Sequence, residues 1–200
     1  MRTDFSPTAT SARDFYRLLT AVVVPRPIAW VSSVSPEGVD NLAPHSFFTV
    51  AANRPPTVLF TSLGHKDTVS NIEATGEFVV NHATEPLLEQ VNASSAPFEH
   101  GDDEAELLHI AMEPSEKVAP PRVADSPASI ECRLDRIVEV GTSFVVLGEV
   151  VAITVRSDVL EDGLPTIEGL RPLSRLGRDE WGLPPDVIDV TRPRRPEDVL

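Results

Sequence analysis

Length, composition and charge exclude several classes of protein. The chain has 200 residues, 41% of them hydrophobic and 24% charged, as in an ordinary globular domain. Its net charge of -14 disfavours a nucleic-acid partner, whose phosphates most of the surface would repel. The single cysteine, Cys132, cannot form an internal disulfide, and no secretory signal or bilayer-spanning apolar run is visible. We therefore expect one cytoplasmic domain without a membrane segment.

The first half of the chain predicts short strands separated by turns and two helices. Ser11 is a candidate N-cap for the first helix, and Gly76 a candidate terminator for the second. Proline at 25 and 27 stops the first helix and starts extended chain. The predicted elements are a helix over 11–20, strands over 28–34 and 39–51 joined by a type I turn, a strand over 57–62, a helix over 68–75 and a strand over 77–83.

The second half adds two helices, a proline-rich loop and a long hairpin. Residues 143–155 are apolar on both faces, which predicts cover on both sides, either inside a closed barrel or at a subunit contact. Six or more strands joined mainly by hairpins favour a small antiparallel barrel over a doubly wound nucleotide fold. The predicted elements are helices over 85–93 and 104–112, a surface loop over 114–127, strands over 130–140 and 143–155, and an extended arm over 183–200.

The strand, loop and helix over residues 57–75 have the composition of a phosphate site. The first turn of a helix has unpaired N–H groups and a positive dipole end, which attract phosphate. Lys66, one of only two lysines, precedes this helix. We expect Asp67 to cap the helix, because a carboxylate beside phosphate would repel it. The hydroxyls come from Thr61, Ser62 and Thr68. Composition alone leaves an ordinary capped surface helix with a solvated lysine as the alternative.

Four segments and a weaker fifth together resemble the flavin reductase-like, FMN-binding split-barrel proteins, which include flavoredoxin-type proteins and reductase components of two-component monooxygenases. No single motif is decisive, but the five occur in the family's order and spacing over residues 20–180. The segments are Pro25-Arg-Pro-Ile-Ala-Trp-Val-Ser32, Asn41-Leu-Ala-Pro-His-Ser-Phe-Phe48, Lys66-Asp-Thr68 with Asn71-Ile72, Gly76-Glu-Phe-Val-Val-Asn81 and, more weakly, Arg175-Leu-Gly177.

The resemblance implies a mainly β fold: an antiparallel, six-stranded split β-barrel of Greek-key type with short peripheral helices, in one FMN-binding domain over residues 1–200. It implies a homodimer, with NAD(P)H as electron donor and free flavin or a partner monooxygenase as acceptor. Arg178 and Trp181 depart from the family pattern of a glycine and then a tyrosine after Arg-Leu-Gly. By position, Asn41, His45, Ser46 and Phe47 would line the isoalloxazine, Thr61, Ser62, Lys66, Asp67 and Thr68 would surround the ribityl-phosphate, and Arg175 would make a C-terminal contact.

Several other residues carry weaker functional hypotheses. The five histidines show no zinc-site spacing, and only His45 falls in a matched motif. Cys132 and Trp30 are expected in the core, and the acidic residues between 99 and 106 on a solvated face. No acid/base dyad is predicted, because redox chemistry belongs to the cofactor. Two functional alternatives stay open: an electron-carrier flavoprotein without NAD(P)H activity, and a non-catalytic ligand-binding barrel.

Overall fold

A computed structural model of the chain describes residues 1–199. Over these residues the elements of the first half are α1 (Ala12–Val22), β1 (Arg26–Pro27), β2 (Ala29–Val34), β3 (Asp40–His45), β4 (Phe48–Asn53), β5 (Pro56–Leu63), α2 (Asp67–Thr75) and β6 (Glu77–His82). Those of the second half are α3 (Leu88–Ala93), α4 (Glu104–Leu107), β7 (Met112–Glu113), β8 (Arg122–Val123), β9 (Ala128–Val140), β10 (Ser143–Val155), β11 (Leu160–Glu161), β12 (Leu164–Pro165), α5 (Ile167–Leu170), β13 (Ser174–Arg175) and β14 (Trp181–Gly182).

A seven-stranded antiparallel sheet dominates the structure, in the order β3-β2-β6-β9-β10-β5-β4. The two edge strands, β3 and β4, are consecutive in the chain and only residues 46–47 separate them. The sheet must therefore curl until its edges meet, which makes an open barrel. The mainly β, antiparallel prediction is confirmed. The sheet has seven strands instead of six because the predicted arm over 39–51 breaks at 46–47 into two strands.

Strand β2 separates two apolar clusters, because successive side chains of a strand point to opposite faces. Ala29 and Val31 pack inside the barrel with Phe60, Phe78 and other side chains. The preceding Ile28 and the alternate residue Trp30 belong to a second cluster, which also contains Leu42, Val91 and Leu173. Trp30 is fully buried, as predicted. The second cluster fixes the helical segments on the outer face of the barrel.

The long hairpin of β9 and β10 confirms the two strands predicted over 130–140 and 143–155. Gly148 lies against the core: a Cβ atom there would be 2.3 Å from Cζ of Phe78. Cys132 is buried beside it, as predicted, and burial raises the pKa of its thiol to about 12. Within the single chain β10 is not covered on both faces, since Ile153 is 62% exposed. Of the two predicted explanations, closure inside the barrel is therefore wrong for that part of the strand.

The helices follow the sequence prediction except in one place. Ser11 caps α1 by accepting a hydrogen bond from the amide of Asp14 at 3.1 Å. Helix α2 ends at Gly76, whose φ of +75° is the left-handed conformation that glycine adopts readily. The helix predicted over 104–112 is wrong beyond Leu107, because His109 takes a positive φ of 55° and the chain turns into β7. Among residues 1–199, every helix is too short or too polar to span a bilayer.

The proline-rich region and the C-terminal arm both have the irregular, extended structure predicted for them. Residues 114–127 contain one two-residue strand, β8, and otherwise form loop. The arm from 183 to 199 has no helix or strand apart from a 3₁₀ turn at Pro196–Asp198. Leu200 lies outside the described residues.

A buried carboxylate fixes the start of the proline-rich loop to the barrel. Glu131 on β9 is fully buried, although its place in the alternating pattern predicts the polar face. Its Oε1 accepts the amide of Glu116 at 2.9 Å and its Oε2 accepts the amide of Lys117 at 2.6 Å. Burial of the charge is tolerated because both oxygens are hydrogen-bonded.

Replacing this carboxylate should destabilise the whole chain. We expect Glu131→Gln to lower the free energy of unfolding by about 1.5–3 kcal/mol, because hydrogen bonds to a charged acceptor contribute on that order and an amide of the loop loses its partner. Urea denaturation measures the change. Glu139→Gln, an exposed position on the same strand, is the matched control and should change the unfolding free energy little. Equal stability of the two variants would contradict this role of Glu131.

Candidate functional site

A cavity of about 440 Å³ opens where the two sheet edges meet the beginning of α2. This volume is within the range of small-molecule sites, roughly 300–1,000 Å³. Residues 94–100, the loop after α3, form its opposite wall. The structure brings nine of the ten residues predicted for the site to this cavity: Asn41, His45, Ser46, Phe47, Thr61, Ser62, Lys66, Asp67 and Thr68. Arg175 is outside its lining.

The first turn of α2 is equipped to hold an anion. Lys66 is the N-cap residue, and its side chain makes no hydrogen bond that caps the helix. Within residues 1–199 the amides of Asp67 and Thr68 donate to no protein acceptor. Lys66 is exposed and forms no ion pair within the same range. Two free amides, the positive end of the helix dipole and an ammonium group thus meet at one wall of the cavity.

A buried hydrogen bond fixes the start of α2 against the edge of the sheet. Nδ2 of Asn41 on β3 donates to Oγ1 of Thr68 at 3.0 Å, and both residues are buried. The Thr68 hydroxyl accepts here, so its own proton stays available for a ligand. Asn41, predicted at the isoalloxazine, thus contacts Thr68, which is predicted at the ribityl-phosphate.

The cap predicted at Asp67 is wrong. Asp67 is the first residue inside the helix, and its carboxylate turns to the opposite wall. There it accepts the amide of Gly101 at 3.1 Å and lies 2.5 Å from Nδ1 of His100. The carboxylate therefore connects α2 to the loop over the cavity, and its charge is engaged by partners away from the free amides of the helix.

Two residues at the end of β5, Thr61 and Ser62, form hydrogen bonds that shape the cavity wall. The amide of Thr61 donates to the carbonyl of Phe47 at 2.9 Å, so it joins β5 to the short link between the sheet edges. The hydroxyl of Ser62 donates to the carbonyl of Gly64 at 2.8 Å, which shapes the loop before α2. The Ser62 proton is therefore used within the protein, and its oxygen remains an acceptor.

His45 is buried at the base of the cavity with a neutral ring. Its centroid is 4.7 Å from that of Phe60, and its Nε2 atom is buried without a hydrogen-bond partner. Burial, and secondarily the positive charge of Lys66, lower the pKa of His45 to about 4. His82, the other histidine with an unpartnered buried Nε2, also has a lowered pKa because of burial, but it is outside the cavity lining.

The wall formed by residues 94–100 is a part of the site that sequence reasoning missed. Nε1 of Trp30 donates to Oγ of Ser94 at 2.9 Å and anchors this loop to the second apolar cluster. Glu104 also lines the cavity, and its Oε2 accepts the amide of Leu42 at 2.8 Å. Glu104 was predicted on a solvated face, but it is buried, and burial raises its pKa. A series of neighbouring acidic residues in a sequence does not indicate which of them is buried in the structure.

Arg175 is on β13 and does not line the cavity. Its guanidinium stacks over Trp181 at 4.8 Å from the ring centroid, and β13 pairs with β1 so that Arg175 is opposite Arg26. Arg26 in turn lies 5.9 Å from the ring centroid of Phe47, which does line the cavity.

Among residues 1–199, no group of three or more histidine, cysteine, aspartate or glutamate side chains is arranged so that it could hold a metal ion.

Comparison with known proteins agrees with this geometry. The model of the flavin reductase like domain matches residues 21–173, more than half of the chain. The chain belongs to this family. An uncharacterised protein of Halalkalibacterium halodurans is 36% identical, over 94% of this chain and 95% of its own.

Two solved structures show the same flavin reductase-like fold. Nitrilotriacetate monooxygenase component B from Bacillus cereus is similar with a TM-score of 0.91 and 31% identity, over 95% of this chain and 99% of that chain. A split-barrel domain from Shewanella frigidimarina is similar with a TM-score of 0.86, over 96% of this chain and 100% of that chain. Its 19% identity supports the fold alone, and the predicted split barrel is confirmed.

The buried histidine of this flavin reductase-like chain should make its stability depend on pH. A folded-state pKa of about 4, below the ordinary value of 6.5, means that the unfolded chain binds more protons as the pH falls below 7. Stability is therefore complete above pH 6.5 and declines toward pH 4. For His45 alone we expect the free energy of unfolding to fall by about 1 kcal/mol between pH 7 and pH 5.5.

Urea denaturation at the two pH values measures this decline. His45→Gln should make it shallower, whereas His109→Gln, at an exposed position without an ion pair among residues 1–199, should leave it unchanged. His82 contributes in the same direction in both variants, and the raised pKa values of Asp40 and Glu104 act at lower pH with the opposite sign. An equal slope in wild type and His45→Gln would contradict the neutral state of His45.

Proposed function

We propose that the protein is an FMN-dependent oxidoreductase in which NAD(P)H reduces the bound flavin, and free flavin or a partner monooxygenase receives the electrons. The observation that carries this proposal is the start of α2, where Lys66 and two unpaired amides form an anion site in a cavity of suitable size. Phosphate is the charged group of FMN, and a helix start of this kind accepts it. Family membership supports a flavin over other phosphorylated ligands.

The residues around the cavity divide into two groups by the part of the cofactor they fit. Lys66, Thr68 and the amides of α2 would hold the phosphate. Ser46 and Phe47, at the link between the sheet edges, and the neutral His45 would be next to the isoalloxazine. When bound, the flavin supplies the redox chemistry, and the protein supplies position and hydrogen-bond donors.

The reductant and the acceptor follow from the open shape of the cleft and from the relatives. The sequence has no Gly-x-Gly-x-x-Gly dinucleotide motif, so NAD(P)H would enter the same cleft and stack on the exposed flavin face. The similarity to a monooxygenase component B favours electron delivery to a partner oxygenase or to free flavin. The cavity residues named above therefore need only to bind the flavin and the nucleotide and to orient them, and no acid/base dyad is required.

A homodimer is part of this proposal. Exposed apolar side chains on α1, β4 and β10 are left uncovered within the single chain: Leu19, Val22, Val50 and Ile153. A second copy that covers β10 would satisfy the remaining explanation for a strand with two apolar faces. A single FMN-binding domain over residues 1–200 and a cytoplasmic location complete the proposal, the latter resting on the single buried cysteine.

Removal of the lysine at the helix start tests the phosphate site. Lys66→Ala should weaken FMN binding by about 1.5–3 kcal/mol, because a hydrogen bond to a charged group contributes on that order. Titration of the protein into FMN, followed by flavin fluorescence, measures the affinity. Lys117→Ala removes the only other lysine and is the matched control, with unchanged affinity expected. Equal affinities for FMN in the two variants would place the phosphate elsewhere.

Anaerobic stopped-flow mixing tests the redox part of the proposal. The FMN-loaded protein should bleach at about 450 nm on mixing with NADH or NADPH, since reduction removes the absorption of the oxidised flavin. An absence of bleaching with both nucleotides would favour the electron carrier. A protein that stays colourless after addition of FMN and does not quench its fluorescence would exclude both redox functions.

A further inference from the structure

Two arginines outside the cavity lining lie side by side without an acidic partner among residues 1–199, one of them over the cavity residue Phe47. Strands β1 and β13 pair in antiparallel register, with the Cα of Arg26 opposite that of Arg175. Neither residue forms an ion pair within residues 1–199, although the chain has 31 acidic and 17 basic residues. In a chain with this excess of carboxylates, two neighbouring guanidinium groups without a counterion need an explanation.

Arg26 is held rigidly by the backbone around it. It is only 8% exposed. Its Nη1 donates to the carbonyls of Thr20 and Val23, and its Nη2 donates to the carbonyl of Leu176 at 2.8 Å. Its Nε atom is buried without a partner. Carbonyl groups satisfy hydrogen-bond donors but leave the positive charge in place. Because Nε is closed to solvent, Arg26 offers an anion its charge and not a direct hydrogen bond.

The charges of the two arginines act on each other. Burial and, next, the charge of Arg175 lower the pKa of Arg26, which shows that the two cations repel each other in a partly desolvated place. A bound anion between them would remove this repulsion.

The pair lies beside the part of the cavity wall that contains Phe47, a residue proposed for the isoalloxazine. Arg26 lies over Phe47, and the hydroxyl of Tyr16 is close enough to act on the pKa of Arg26. Both aromatic residues line the cavity. Arg175 stacks on Trp181, which holds its guanidinium flat and presents an aromatic surface beside it. Lys66 serves a different wall of the cavity, at the start of α2.

We propose that Arg26 and Arg175, together with Trp181, form a second anion subsite, which binds the phosphate group of the nucleotide that exchanges electrons with the bound flavin. The inference rests on the proposed function, since it names a subsite for its second reactant. Arg175 suits this role because its planar guanidinium fork matches phosphate oxygens, and the buried Arg26 adds a second positive charge beside it. Two molecules carry this chemistry, the pyrophosphate of NAD(P)H and the phosphate of a free flavin acceptor.

Inorganic pyrophosphate is the direct probe of the subsite. Added to the protein without FMN, it should change the fluorescence of Trp181 in a saturable way, because the arginine stacked on that ring binds the anion. Trp181→Phe should abolish the response, since the only other tryptophan, Trp30, is fully buried. The titration is done in the Lys66→Ala background, which weakens binding at the helix and keeps the result independent of the FMN site.

Arg175→Gln should weaken pyrophosphate binding at least tenfold in this titration. Arg54→Gln removes an exposed arginine that forms no ion pair among residues 1–199 and is the matched control, with unchanged affinity expected. Equal thermal melting of the two variants would show that both fold. A fluorescence response that is absent in wild type, or equal in Arg175→Gln and wild type, would overturn the subsite and leave the arginines as a purely structural clamp.

Steady-state kinetics distinguish the two candidate ligands. If the subsite binds the reductant, Arg175→Gln should raise KM for NADH or NADPH at least fivefold and leave KM for free flavin unchanged. If it binds the acceptor, the pattern should reverse, and kcat should change little in either case. Unchanged KM for both reactants would overturn the proposal. A failure of FMN to bind at Lys66 would instead contradict the proposed function, and the pyrophosphate titration would still decide the subsite.

Discussion

The hydrogen bond between Asn41 and Thr68 is the contact on which the site depends. It joins the edge strand β3 to the first turn of α2, which are 27 residues apart in the chain. Because both side chains are buried, the bond is protected from water and fixes the direction of the helix start. The amides of Asp67 and Thr68 then lie at the cavity, and Lys66 lies at the same wall because it immediately precedes the helix. Val69 and Ile72 anchor α2 in the barrel core, and this bond fixes its first turn at the open edge of the barrel.

The open edge is itself a result of the break between β3 and β4. A continuous strand over 39–51 would carry the sheet past residues 46–47, whereas the break lets the chain pass from one edge of the sheet to the other. Ser46 and Phe47 therefore lie in the gap of the barrel, with Phe47 held by the amide of Thr61. Strand β2 also shapes this gap. Its side chains alternate between the two faces of the sheet, so Trp30 faces away from the barrel interior and anchors, at Ser94, the loop that forms the opposite wall.

The sequence predicts elements that local chemistry decides, and fails where a distant partner decides. Ser11 and Gly76 bound their helices as predicted, because capping and left-handed backbone depend on the residue itself. Asp67 and Glu104 were misassigned because their oxygens bond to Gly101 and Leu42, which no local pattern reveals. The cavity-lining residues could be predicted from the resemblance to a family, but Arg175 lies outside the lining, since its position depends on the pairing of β13 with β1.

The charge of the whole chain limits what this site can bind. With a net charge of -14, the protein repels anions at long range, so a phosphate must be held by groups in direct contact with it. Three carboxylates line the same cavity, and one of them, on Asp67, is bonded to the facing loop. Lys66 has no such acidic partner among the described residues, which leaves its full charge for a ligand. A scaffold of this charge can therefore select for phosphate by local geometry, because its general field favours no anion.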